Sequence, residues 1–492
     1  MKNAVWAAAG LLASVFVWRL IDQGSPYGGE RTHLVSATTR IATSRNSGTL
    51  GHSASRAISQ AVAQADSTAL VSQLAALRFG TLLETVAVGD VTGDGRDDIV
   101  ATTGYTPNAR PSSDDFTLWV IVQQADGTLA APLRHPIPGQ TIYDTASRSL
   151  ALVDLDLDGV REVMLGHGSS AGYGISVFEG AASGQLVQRG LTVVAEDVTV
   201  MVALDLDRDE YKDLATFDGT KIRTYLGDGR GGLELLTTID SVVAGPGPIA
   251  DMAAGDYNGD GLTDIALYNG YDIVSVYKLI ETGSFALWHS SLPAYPHQRF
   301  SALTAIDIHQ DDDDDLLIMT AGLPRSTATA KFAMYHHQNN AMVPAPRWGA
   351  HYHASAVMGV DMDGDGRQDL LSVRTPLDRT ATLSYMRQRG DGSLEPELEF
   401  PLTGVHSGGP RSLAAGDFTG DGCKDAAVAS EYSLVLFAGN CPRPRIMSSP
   451  LPPRLVVPQP TSSSPANIVR PFEVIDARGS PQPLRRAAAR RD

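Results

Sequence analysis

Cysteine is almost missing from this chain: 492 residues hold two, Cys423 and Cys441, which leaves room for a single disulfide. Basic charge is also short, with 39 Lys and Arg against 56 Asp and Glu and a formal net charge of -17, which argues against general affinity for nucleic acid. Long apolar runs are scarce as well. Lys2 precedes an uncharged, mostly apolar stretch from Ala4 to Trp18. Its fifteen residues suit the core of an export signal better than a full membrane span, which needs about 20. No small-x-small cleavage site follows Trp18, so a cleaved signal peptide and an uncleaved anchor through Ile21 both stay open. The anchor would attach the chain to a membrane, and either outcome places it outside the cytoplasm.

What is present is acid, and it is concentrated. Residues 1–70 carry a net +3 and 442–492 a net +6, leaving 24 basic and 50 acidic groups, a net of -26, on residues 71–441. Residues 22–70 are rich in Ser, Thr, Gly and Arg without apolar period and read as a low-complexity linker. The 442–492 segment, with 11 prolines and nine arginines, cannot bury enough apolar surface to fold and reads as a disordered tail. Segments 1–21, 22–70, 71–441 and 442–492 therefore have different characters.

Length alone suggests about three domains, but an internal repeat overrules it. A string of the form Asp-x-[Asp/Asn/Thr]-x-Asp-Gly-x-x-Asp recurs seven times, beginning at Asp90, Asp154, Asp205, Asp256, Asp307, Asp361 and Asp417, with spacings of 64, 51, 51, 51, 54 and 56. Short apolar runs without a helical period flank each copy, as in Thr85 to Gly89 and Ile99 to Thr102. Turn dipeptides follow a further apolar run at Asp126-Gly127, Ser183-Gly184, Asp228-Gly229, Thr282-Gly283 and Asp391-Gly392. Each repeat thus supplies about four antiparallel strands, and seven such units predict an all-β, seven-bladed β-propeller. Small residues before each first Asp (Ala87, Gly89, Ala253 to Gly255, Ala414 to Gly416) suit strands crowded at the axis. The seventh repeat ends with its third strand, so the stretch around Leu74 to Phe79 is expected to supply the fourth and close the ring. Cys423 and Cys441 flank the hairpin centred on Tyr432 at that closure.

Carboxylates at loop positions 1, 3, 5 and 9, with glycine at 6 allowing a sharp turn, converge on one point, and hard oxygen ligands in that number select Ca²⁺. The expected ligands are Asp90, Thr92, Asp94 and Asp98; Asp154, Asp156, Asp158 and Glu162; Asp205, Asp207, Asp209 and Asp213; Asp256, Asn258, Asp260 and Asp264; Asp361, Asp363, Asp365 and Asp369; and Asp417, Thr419, Asp421 and Asp425. The Asp205 loop has Glu210 where glycine belongs, and the Asp307 loop has His309 at position 3 and Asp312 at 6, so about four to seven ions are expected. An EF-hand would need Glu at position 12, where Ala101, Leu267, Ser372 and Val428 stand. Of the 50 acidic groups, 24 sit at loop positions 1, 3, 5 or 9, so the acidity is largely a count of ligands.

The strings GDVTGDGRDDIV, GDYNGDGLTDIA and GDFTGDGCKDAAV resemble FG-GAP/VCBS repeats, to which the integrin α-subunit propeller belongs, over about Leu74 to Asn440. The resemblance implies calcium loops on one face of a seven-bladed propeller and ligand binding, where it occurs, on the other. Loops leading to the first strands hold Tyr143, Arg148, His297, Arg299, Trp348, His351, Tyr352, His353, His406 and Arg411, types that suit a sugar or protein ligand but that polar loops carry anyway. Gly227 to Gly232 satisfies G-x-G-x-x-G but leads into a strand, Gly168 to Gly172 satisfies G-x-S-x-G within a hairpin, and Arg389-Gly390-Asp391 fills a turn. The expected role is a non-enzymatic interaction or adhesion module with a protein or glycan ligand. A lectin is the first alternative and a polysaccharide-degrading enzyme the second.

Overall fold

The computed structural model describes residues 71–441 apart from 106–111, 138–148, 170–171, 241–250, 269–273, 282, 291–298, 322–330, 345–347, 350–353, 375–380, 403–408 and 410. The signal or anchor, the linker and the tail lie outside the described residues.

Seven antiparallel sheets account for all 29 described strands. Blade one is typical: Leu83–Gly89, Asp98–Thr103, Thr117–Ile121 and Leu133–Pro136 pair in chain order. The first strands of blades two to seven are Ser149–Val153, Val200–Leu204, Asp251–Gly255, Arg299–Ile306, Ala354–Val360 and Leu413–Gly416. Blade five adds Trp348–Gly349 to its third strand, Lys331–Gln338. In blade one the second and third strands are buried at every position, whereas the fourth alternates half-buried and exposed. Sheet twist explains this, since the middle strands are sandwiched between neighbouring blades while the outer strand turns away.

The chain ends meet as expected. Val71–Arg78 pairs with Ser433–Gly439, from Val71 opposite Gly439 to Arg78 opposite Ser433, with a bulge at Leu74. The closing strand begins three residues before the predicted stretch. Cys423 and Cys441 form a disulfide with Cα atoms 5.4 Å apart, tying the last acidic loop to the strand beside the closure.

The core is not one mass. Among the described residues seven apolar clusters occur, one in each gap between adjacent blades. Ile99, Leu83 and Val86 of blade one, for example, meet Leu434, Leu436 and Phe418 of blade seven. Each blade is therefore held on both faces, which is why a repeat of this kind needs its neighbours to fold. At the axis, close approach demands glycine: a Cβ on Gly416 would stand 2.3 Å from Cγ1 of Val88 in the next blade.

Candidate metal centres

Each acidic loop joins the first strand of a blade to its second, so all seven lie on one face. Position 2, to which the sequence reading gave no role, anchors each loop. Val91, Leu155, Leu206, Tyr257, Ile308, Met362 and Phe418 occupy it, and all are buried. The signal was available, because the residue after the first Asp is large and apolar in every copy.

The first Asp gathers the loop backbone. In blade six, Asp361 Oδ1 accepts the N–H groups of Gly364 (2.7 Å) and Asp365 (3.1 Å), and Oδ2 accepts that of Gly366 (2.8 Å). Asp90, Asp256 and Asp417 do the same in their loops. These bonds need left-handed backbone at positions 4 and 6, where Gly364 and Gly366 have φ of +73° and +85°. Blade three keeps the shape without glycine, with Arg208 at +66° and Glu210 at +76°, and blade five does so with Gln310 at +55° and Asp312 at +69°. The strain expected at Glu210 is therefore present, and position 4 adds a second strained residue.

The last acid has a duty that sequence did not disclose. Asp98 Oδ1 accepts the backbone N–H of Gln123 (2.9 Å), just past the third strand, while Oδ2 accepts that of Val91 (3.2 Å) at position 2. Asp213 binds Gly227 and Leu206, and Asp369 binds Gln388 and Met362, in the same way, while Asp425 binds Gly439 and the N–H of Thr419 at position 3. Position 9 thus staples the loop to the third strand. Burial outweighs these bonds and pushes the carboxyls of Asp98, Asp264 and Asp369 up to about 6, and that of Asp425 up to about 8.

Among the described residues three loops bring acidic oxygens within 4.8 Å of one another: Asp154, Asp156 and Glu162; Asp205, Asp207 and Asp213; and Asp361, Asp363 and Asp365. Asp154 Oδ1 and Asp207 Oδ1 are buried with no hydrogen-bond partner. A cation would relieve like charges at that separation and satisfy the bare acceptor oxygens, so these two loops fit Ca²⁺. In blade six the guanidinium of Arg387 pairs with Asp363 and Asp365, and that of Arg367 with Asp365. Asp94 pairs with Arg96 in blade one. The Asp90, Asp256 and Asp417 loops carry three carboxylates each and are looser. Asn258 at position 3 donates to Asp264 Oδ2 at 2.6 Å.

Neighbouring loops are also stitched together. Gln123 and Gln388 occupy equivalent places after the third strands of blades one and six, both fully buried. Gln123 Nε2 donates to the carbonyl of Asp417 (3.2 Å) in blade seven, and Gln388 Nε2 donates to that of Ile308 (2.6 Å) in blade five. Asp97 adds a bond at the closure, accepting the N–H of Asp417 at 2.9 Å.

Residues 83–121 match the FG-GAP repeat family, and residues 205–267 and 361–428 match the FG-GAP-like repeat family. Blades one, three, four, six and seven thus carry FG-GAP or FG-GAP-like repeats. No curated protein matches the chain. Among solved structures, one described as BBS1N in complex with ARL6DN, soaked with mercury, is similar at a TM-score of 0.50 and 11% identity, covering 77% of this chain and 98% of that one. A protein from Lactobacillus plantarum gives a TM-score of 0.43 and 16% identity, covering 67% and 85%. A functionally unknown protein from Desulfotomaculum acetoxidans gives 0.44 and 10%, covering 68% and 89%. At these identities the first likeness speaks for the fold alone. FG-GAP repeats, acidic clusters of the calcium-loop kind and the propeller therefore coincide in one chain.

Of the residues expected on the opposite face, Tyr143, Arg148, His297, His351, Tyr352, His353 and His406 lie outside the described residues. Arg299 and Trp348 sit on blade-five strands. Arg411 reaches the innermost strand of blade four, donating through Nη2 to the carbonyl of Met252 at 2.6 Å. Gly227 to Gly232 leads into the strand Leu233–Asp240, and Asp391 accepts the N–H of Ser393 (3.0 Å) in a hairpin turn.

Proposed function

We propose that this FG-GAP propeller binds calcium in its acidic loops and works outside the cytoplasm as a non-enzymatic interaction module. The observation that carries the calcium reading is the convergence of acidic oxygens in blades two and three, with Asp154 Oδ1 and Asp207 Oδ1 buried and unpartnered. Asp154, Asp156, Asp158 and Glu162, and Asp205, Asp207, Asp209 and Asp213, would hold the ions. Bound Ca²⁺ supplies charge neutralisation at the turn between two strands, which fixes the blade rather than performing chemistry. The other loops with intact carboxylates follow the same logic.

The disulfide supports an oxidising compartment, in keeping with the apolar N-terminal run. With calcium as a structural ion on one face, the opposite face is left for a protein or glycan ligand. Metal analysis of the purified chain, together with melting curves before and after chelation, tests the first part. An ion that binds only the folded state raises stability by mass action, and an unchanged curve with no retained calcium would refute it. A glycan array and a search for bound proteins test the second. Catalytic turnover of a polysaccharide would overturn the non-enzymatic reading.

A further inference from the structure

The acidic loop of blade five departs from the other six in chemistry rather than in shape. Its loop keeps Asp307, Asp311 and Asp315 at positions 1, 5 and 9, but position 3 is an imidazole. His309 Nδ1 stands 2.9 and 3.0 Å from the two oxygens of Asp315, so the Nδ1 proton is donated there and Nε2 is left for another partner. The ring of His336, on the third strand of the same blade, has its centroid 4.9 Å from that of His309, tilted by 48°. His336 Nδ1 is buried and has no hydrogen-bond partner. Asp311, at position 5 of the same loop, is exposed.

Imidazole nitrogen is a poor ligand for a hard cation such as calcium and a good one for zinc and its neighbours in the first transition row. An imidazole whose second nitrogen donates to a carboxylate is the usual arrangement of a histidine that binds such a metal, because the carboxylate fixes the tautomer and raises ligand basicity. His309 and Asp315 have that relationship. A buried ring nitrogen without a partner is costly on its own, and a metal ion accepts its lone pair. We propose that the Asp307 loop is a transition-metal site, with zinc the foremost candidate, held by His309, His336 and Asp311 and oriented through Asp315. The groups stand further apart than the carboxylates of blades two, three and six. Closing them round an ion takes side-chain rotation of exposed Asp311 and half-buried His336. The inference leans on the calcium reading of the other loops only for its contrast.

The full chain, stripped of metal and dialysed against calcium and zinc together, is analysed for both elements. One zinc per chain is expected beside several calcium ions. His309→Asn and His336→Gln should each weaken zinc about tenfold or more while leaving the calcium content unchanged. Cobalt in place of zinc should give the visible absorption of a low-coordinate site, lost in His336→Gln. Calcium retained with no zinc overturns this inference alone, as does zinc retained equally by both variants. Zinc retained without calcium overturns the calcium reading and leaves this one standing.

Discussion

Arg411, which leads into the innermost strand of blade seven, stands 3.4 Å from the carboxylate of Asp251 in the innermost strand of blade four, across the ring from its own blade. Asp251 is buried and also accepts the N–H of Leu303 in blade five at 2.8 Å. One carboxylate thus joins three blades, and its charge is balanced by a half-exposed guanidinium. Replacing Arg411 with Met strands a buried carboxylate and the Met252 carbonyl, which should lower stability by about 2 kcal/mol. Urea unfolding reads the loss. If the pair matters as a pair, Asp251→Asn combined with Arg411→Met costs less than the sum of the two, and strict additivity would show that they act separately.

With calcium bound as proposed, the buried acids would make calcium binding and proton binding compete. Carboxyls raised to about 6 at Asp98, Asp264 and Asp369, and to about 8 at Asp425, favour the protonated form in the folded, metal-free chain. Their stabilising contribution is complete below the unfolded value of about 4 and is lost as pH climbs through 6 and, for Asp425, 8. Calcium replaces those protons, so the gain in melting temperature on adding calcium should be small near pH 5 and large near pH 8. Equal gains at both would contradict this coupling.

Glu210 offers a test of backbone strain. At φ +76° it holds a conformation that glycine adopts freely, so Glu210→Gly should stabilise the chain by about 0.5 to 1 kcal/mol after the added freedom of the unfolded chain is discounted. Gly366→Ala, at φ +85°, should do the reverse by about 1 kcal/mol or more. Thermal unfolding of the two variants in calcium decides it, and matching signs would remove strain as the explanation.

Much of this arrangement was readable beforehand because its signals are short in range. The acidic string, its spacing and the glycine turns each occupy a few consecutive residues. Closure by the strand before blade one followed from the missing fourth strand of the last repeat. What was not readable depends on contacts between distant parts of the chain. Asp98 looks like a ligand in sequence, and only the folded blade shows it holding Gln123 as well. Gln123 itself belongs to no motif, and its partner Asp417 lies at the far end of the propeller sequence. Arg411 stands in a loop entering a first strand, and only the fold shows its bond crossing the ring to blade four. The apolar residue at position 2 is a different case, since its pattern is local and stands in every copy of the string.

Gln388 tests whether neighbouring loops act together. Its amide donates to the carbonyl of Ile308, which sits at position 2 of the blade-five loop, while its own backbone N–H binds Asp369 at position 9 of blade six. Gln388→Leu keeps the backbone bond and removes the side-chain one, leaving the Ile308 carbonyl without that donor at a cost of about 1 to 3 kcal/mol. Packing loss alone would fall on blade six, where the side chain originates. Loss of the hydrogen bond falls on blade five as well, so amide exchange at Ile308 and its neighbours should accelerate in Gln388→Leu and recover in Gln388→Asn only if the shorter amide still reaches. Faster exchange confined to blade six would show that the glutamine fills space without linking the two loops.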